Sequence, residues 1–177
     1  MRITIREIDE HILHDVNQCD AEFTVTSKLV LHAENGIISY SVVSVEPYQK
    51  KYAFEKKDYP SYISDPNKAI YFAYVDGQLA GQIDVAKHWN AFAWIDDIAV
   101  DSRFRRRGIG RALMQQAVDW AKARHLPGIM LETQDNNVTA CRFYQDFGFQ
   151  LYGFDTYLYK GLHPDTDEIA LYWYLMF

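Results

Sequence analysis

Between Ala91 and His125 the sequence runs from AFAWIDDIAV through the arginine-rich RFRRRGIGR into GIGRALMQQAVDWAKARH. No other stretch restricts the fold as much. The first ten residues are β-prone and predict a strand over 91–100. In the last segment Ile109, Ala112, Leu113, Ala117, Trp120 and Ala121 recur with helical spacing and share one face. Between the two, Gly108 and Gly110 allow a sharp turn and a close approach of backbone to a ligand. A strand that turns through glycines into a helix collects unpaired N–H groups at the positive end of the helix dipole, which favours an anion. Arginine side chains add charge and forked donors. A diphosphate fits such a cradle. A Walker loop is excluded because no Gly-Lys-Ser/Thr follows. The dinucleotide fingerprint fails because Leu113 stands where Gly or Ala is needed.

Charge separates this turn from the rest of the chain. Lys and Arg total 18 against 24 Asp and Glu, a net of −6; setting aside the five arginines of 103–111 leaves −11. One cationic patch on an acidic protein suits a compact anion and a second, cationic ligand. It disfavours a nucleic-acid partner, which would need a wider basic surface with interleaved aromatics. The two cysteines, Cys19 and Cys141, make no CxxC pair and no metal-ligand spacing with His, so no metal is expected, and free thiols in a reducing cytoplasm are. MRITIREIDEH has no apolar core of a leader, and no apolar run approaches about 18 residues, so neither a signal peptide nor a membrane span is expected.

The 177 residues suggest one domain over 1–177. A strand is expected at 2–7 and a short helix at 9–20. Residues 21–60 carry no clear pattern beyond a β-prone run from Ile37 to Val45. AIYFAYVDGQLAGQIDVA reads as two strands joined at Asp76-Gly77, a strong hairpin signal. Further along, the pattern predicts a strand at 129–133 and a helix from Val138 to Phe147, capped by Asp135-Asn136-Asn137 and closed by Gly148. Two closing strands follow, at 149–152 and 168–176. The class is α+β.

A second stretch, LETQDNNVTACRFYQDFGF, places Asn137, Ala140, Cys141 and Tyr144 on one helix face. That face could be core or site. Arg105-x-x-Gly108-x-Gly110 after a strand, followed by Asn137, Ala140, Tyr144 and then Gly148-Phe149, resembles the two motifs of the GNAT superfamily of N-acetyltransferases. PYQKKY, HWNAFAWIDDIAVD, LETQDNN and EIALYWY are further similar to the streptothricin acetyltransferases within it.

The resemblance implies a GNAT-type fold: a mixed, mostly antiparallel twisted sheet flanked by helices and splayed at the central parallel strands. It implies acetyl-CoA as cosubstrate, its pantetheine arm along Ile98, Ala99, Val100 and Asn137. The pyrophosphate would sit on the turn of Arg105, Arg106, Arg107, Gly108, Ile109, Gly110 and Arg111. Tyr144 becomes the general acid for the leaving thiolate, and Glu132, twelve residues earlier, or Asp96 a base for the attacking amine. Strand alternation puts Asp96 and Asp97 on opposite faces unless a bulge intervenes. A cap, a salt bridge or substrate recognition remains open for each carboxylate.

The acceptor implied is a small cationic amine, streptothricin with its β-lysine amino groups, met by Trp89, Asn90, Asp97, Glu168, Tyr172 and Trp173. For Tyr172 and Trp173 the alternative is an apolar closing strand or a homodimer edge. For the whole chain the alternatives are another amine acceptor or a non-catalytic acyl-CoA sensor.

Overall fold

The computed structural model describes residues 2–53 and 57–177. In chain order the elements are β1 (Ile3–Glu7), β2 (Phe23–Glu34), β3 (Ile37–Lys50), α1 (Ser61–Ser64), β4 (Lys68–Val75), β5 (Gln78–Lys87), β6 (Ala93–Val100), α2 (Ile109–Ala123), β7 (Gly128–Gln134), α3 (Val138–Phe147), β8 (Gln150–Asp155) and β9 (Ala170–Met176). Short 3-10 turns occur at Leu13–Asp15, Ser102–Phe104 and Leu158–Gly161. The chain forms two compact units: residues 1–22, 51–129 and 177, and residues 23–50 and 130–176.

In the first unit the strand order is β1-β4-β5-β6, antiparallel throughout. The β4–β5 hairpin turns at Asp76-Gly77, both at positive φ (49° and 84°), as the sequence predicts. The apolar face of α2 (Ile109, Leu113, Met114, Ala117, Val118, Trp120 and Ala121) is buried on this sheet. Gly81 permits the packing. A Cβ added there would meet the Ala99 carbonyl oxygen and Leu113 Cδ1, each at 2.9 Å, and Ile109 at 3.1 Å. Gly81→Ala is therefore expected to cost about 1–3 kcal/mol, since backbone oxygen cannot yield as a side-chain tip can; urea denaturation measures it.

The helix expected over 9–20 is instead a single 3-10 turn. Ile8, Ile12 and Val16 are buried at helical spacing against Ile70, Phe72 and Tyr62, which explains the pattern in the sequence. The backbone does otherwise. The bonds Ile12 N→Asp9 O, Asp15 N→Ile12 O and Val16 N→Leu13 O all span three residues, and Asn17 turns out at φ 60°. Asp9 Oδ1 accepts from the N–H of His11 and Ile12, giving the chain a turn in place of a helix start. β6 begins at Ala93, not 91, because residues 88–92 form the turn, with Ala91 at φ 70°.

The second unit contains the long β2–β3 hairpin, absent from the sequence reading apart from the run 37–45. It closes on Asn35-Gly36, both at positive φ. Pro47 falls in the irregular stretch between the Val25–Tyr48 and Ser27–Ser44 pairs, where the ladder needs no donor from it. Here the strand order is β7-β9-β8, with α3 against β2. α3 is capped by the Asn137 side chain, which accepts from Ala140 N, and ends at Gly148 with φ 121°, both as expected. β8 runs to Asp155, and β9 starts at Ala170, not 168. Among the described residues no helix is long and apolar enough to cross a membrane.

Candidate active site

The turn after β6 sorts its arginines into two kinds. Arg103 and Arg105 are struts. Asp101 accepts from Arg103 N at 3.1 Å and Arg103 Nε at 2.8 Å. Arg105 spends its guanidinium on backbone carbonyls: Nη2 to Glu22 O at 2.7 Å and Nε to Val100 O at 3.2 Å. Arg106 and Arg107 are exposed, and Arg107 also lies 5.8 Å over the Phe104 ring. Arg106 and Gly108 both adopt positive φ (62° and 81°), which folds the loop into a concave run of N–H groups. A Cβ on Gly108 would meet nothing within 4 Å, so the face it borders is open. In the first turn of α2, Ile109 and Gly110 stand ahead of the intrahelical ladder, which leaves their N–H groups without an intrahelical acceptor, and no acidic residue intrudes. Such a donor set fits a diphosphate. The preceding strand residues Ile98, Ala99 and Val100 pair with Ile83, Gln82 and Gly81 on one side.

An acidic cluster lies on the same strand. In the β5–β6 register Asp84 faces Asp97 and Val85 faces Ile95, so Asp96 is an extra residue, a β-bulge. Simple alternation is broken there, and the Lys57 ammonium reaches both Asp84 Oδ2 (3.2 Å) and Asp96 Oδ2. Asp84 is only 1% exposed; Gln82 Nε2 donates to its Oδ1 at 2.8 Å. Burial pushes the Asp84 carboxyl up against the pull of Lys57. Burial also pulls the Lys57 ammonium down, but Asp84 and Asp96 together outweigh this and hold it above the ordinary lysine range. Asp97 is pushed up to about 7 by burial and then by Asp84, and its Oδ2 is buried without a hydrogen-bond partner among the described residues.

Trp94 Nε1 donates to Asp96 Oδ1 at 3.2 Å, and His88 stacks on Trp94. In the adjoining turn Trp89 is 88% exposed, whereas Asn90 shapes the turn by accepting from Phe92 N. Among the described residues no His, Cys, Asp or Glu group is arranged to hold a metal.

The second unit contains Tyr144 on α3 and, separately, brings Glu132 within electrostatic reach of Glu168 and Tyr172. Tyr144 is 6% exposed, its ring against Phe143, Phe149 and Trp173. Trp173 itself is core, fully buried with its indole N–H unbonded among the described residues. Glu132, on β7, accepts from the Tyr159 hydroxyl. Burial pushes Glu132 up to about 7; Lys50 opposes the shift and Glu168 adds to it. Tyr172 is half-buried and raised by burial and by the nearby Glu132. Glu168 pairs with Lys50 at 2.5 Å and accepts from Asn136 Nδ2 at 2.9 Å.

Sequence reasoning missed Lys57, Asp84 and Gln82, as well as Lys50, Asn136 and Tyr159. One signal was present: Gln82 and Asp84 are two polar residues at i and i+2 inside an otherwise apolar strand. The lysines come from distant segments that no local pattern ties to these strands.

The model of the Acetyltransferase (GNAT) family matches residues 35–149. The chain is 37% identical over 166 residues to streptothricin acetyltransferase A of Bacillus subtilis (strain 168), covering 93% of this chain and 95% of that protein. It is 38% identical over 157 residues to a streptothricin acetyltransferase of Escherichia coli, covering 88% and 87%. A candidate streptothricin acetyltransferase from Bacillus anthracis str. Ames, solved in complex with acetyl coenzyme A, superimposes with a TM-score of 0.92 at 43% identity, over 100% of this chain and 98% of that one. The fold is thus the expected α+β one, with a mixed, mostly antiparallel sheet and flanking helices. The chain belongs to the GNAT family of acetyltransferases and is an acetyl-CoA-dependent N-acetyltransferase.

Proposed function

We propose that the acceptor is streptothricin, acetylated on an amino group of its β-lysine moiety, so that the enzyme confers resistance to the antibiotic. One observation carries this reading: the identity to streptothricin acetyltransferases extends over 93% of the chain, well beyond the family's cosubstrate motif. The charge balance supports it, since −11 remains once the arginine turn is set aside, which suits a polycationic acceptor. Each unit offers residues of the chemistry such an acceptor needs: Trp89, Asn90, Asp96 and Asp97 in the first, Glu168 and Tyr172 in the second. Asp96, already bound to Lys57 and Trp94, serves in holding rather than in proton transfer.

Acetyl-CoA supplies an acetyl group on a good leaving thiolate. Gly108, Gly110 and the exposed Arg106 and Arg107 bind its diphosphate. An aliphatic ammonium near pKa ~10 must lose a proton before its nitrogen can attack. Glu132, pushed up to about 7 by burial, is suited to take that proton near neutral pH. A C–N bond to the acetyl carbon then forms and the C–S bond breaks. Tyr144 gives its phenolic proton to the departing sulfur. The second amine proton leaves to water, and Tyr144 is reprotonated. The sum is ammonium plus acetyl-CoA to amide, free thiol and one proton.

The test is thiol release from acetyl-CoA with and without streptothricin, followed by mass spectrometry of the antibiotic. Fast release that requires streptothricin, with the added acetyl on the β-lysine part, is the expected result. No stimulation, in a preparation that turns over another amine from an acceptor panel, would discard the antibiotic while leaving the acetyltransferase.

A further inference from the structure

Three neighbouring bulky side chains at the entry to the turn Leu158–Gly161 behave differently. Tyr157 and Leu158 are exposed, whereas Tyr159 is half-buried and gives its hydroxyl hydrogen to Oε1 of Glu132. The turn is built to hold that orientation. Asp155 Oδ1 accepts from Tyr157 N at 2.7 Å and Leu158 N at 3.0 Å, fixing the entry. Tyr159 O accepts from Leu162 N at 3.0 Å and His163 N at 2.9 Å, fixing the exit. Lys160 Nζ donates to Thr166 O at 3.0 Å and ties down the rest of the loop.

The other polar groups facing Glu132 in this unit are Lys50 at the end of β3, Glu168 ahead of β9 and Tyr172 on β9. Lys50 binds Glu168 at 2.5 Å and Asn136 Oδ1 at 3.1 Å, and its charge lowers Glu132. The Tyr159 hydroxyl gives the Glu132 carboxyl a directed hydrogen bond at Oε1.

We propose that Tyr159 is a positioning residue for the amine-side proton transfer: its hydroxyl holds Glu132 by Oε1 and leaves Oε2 as the atom that receives the proton. The inference rests on the reading of Glu132 as the base. A phenol with pKa ~10 stays protonated across the working range, so it donates to Glu132 before and after the transfer. It donates more strongly to the carboxylate than to the acid, and so favours the ionised form that can accept a proton. Burial pushes the carboxyl up to about 7; a hydrogen bond donated to the ionised form acts against such a push.

The experiment is the pH profile of kcat/KM for wild type, Tyr159→Phe and Glu132→Gln, on the full chain with the same acceptor. Tyr159→Phe keeps the ring and its packing. The acidic limb is expected to move upward by about 1 on the pH scale, a tenfold change in the Glu132 equilibrium. kcat at pH 7 should fall several-fold, with a smaller change in acceptor KM. A merely structural role would lower the plateau and leave the limb in place, and that result overturns the proposal. A limb that survives in Glu132→Gln removes Glu132 as the base and the proposal with it. Carboxyl NMR of labelled Glu132, titrated without turnover, gives an independent readout: its midpoint should rise in Tyr159→Phe, and an unchanged midpoint refutes the assignment.

Discussion

Tyr144→Phe is expected to lower kcat for thiol release by about 10²- to 10⁴-fold, the range a positioned general acid supplies, with the fold intact. The variant separates two roles that burial alone cannot. Tyr144 is 6% exposed and its ring meets Phe143, Phe149 and Trp173 at centroid distances of 5.5, 5.9 and 6.3 Å. If packing were the whole of its work, phenylalanine would reproduce it and turnover would be kept. If the hydroxyl protonates the leaving sulfur, packing survives and the rate does not. Two measurements therefore suffice: thiol release under saturating substrates, and the unfolding midpoint. A large rate loss with a nearly unchanged midpoint assigns the acid. An unchanged rate sinks the role. The loss should shrink with an acyl donor whose thiol is more acidic, because a better leaving group needs less protonation.

How much of this was legible in the sequence depends on whether the determinants were local. The arginine turn was legible because strand, glycines and helix follow one another along the chain. α3 was legible for the same reason: cap, apolar face and Gly148 all lie within a dozen residues. The pattern at 9–20 predicts a helix that does not form, because burial at every fourth residue (Ile8, Ile12, Val16) does not distinguish an α-helix from a turn held by Asp9. The β2–β3 hairpin was missed although Asn35-Gly36 is a hairpin dipeptide, since β2 buries only Val25 and Leu29 and its remaining residues alternate weakly. The bulge at Asp96 has no sequence signature, yet it decides which face carries Asp96. The two lysines that neutralise the acidic clusters, Lys50 and Lys57, meet partners 118 and 27 residues away. Contacts of that kind are set by topology.

Lys57→Met is expected to destabilise the enzyme by about 3–5 kcal/mol at pH 8, the cost of leaving one partner of a buried ion pair alone. Asp84 is the partner that matters. At 1% exposure it cannot turn to water, and Gln82 satisfies only its Oδ1. Asp96, more exposed, regains solvent when the lysine goes. The buried carboxyl can escape by taking up a proton, and this gives the prediction its pH signature. Burial already holds Asp84 above its ordinary value; without Lys57 it rises further. A carboxyl whose folded-state pKa is raised binds a proton that the unfolded chain releases. Its stabilising share is thus complete below the unfolded value near ~4 and is lost as pH rises through the folded one. The deficit of Lys57→Met relative to wild type should therefore be small at pH 5 and grow toward pH 8. Asp84→Asn in the Lys57→Met background should remove the share of the pH dependence that Asp84 carries and leave that of the buried Asp97. Urea denaturation of the three proteins at pH 5 and pH 8 tests this. A deficit that does not change with pH would mean that Lys57 acts through packing of its stem and not through its charge. Asp97 would respond in the same sense, since Lys57 opposes the push that Asp84 exerts on it. The charge balance at the β6 bulge is thus set by one lysine, and β6 itself runs directly into the arginine turn.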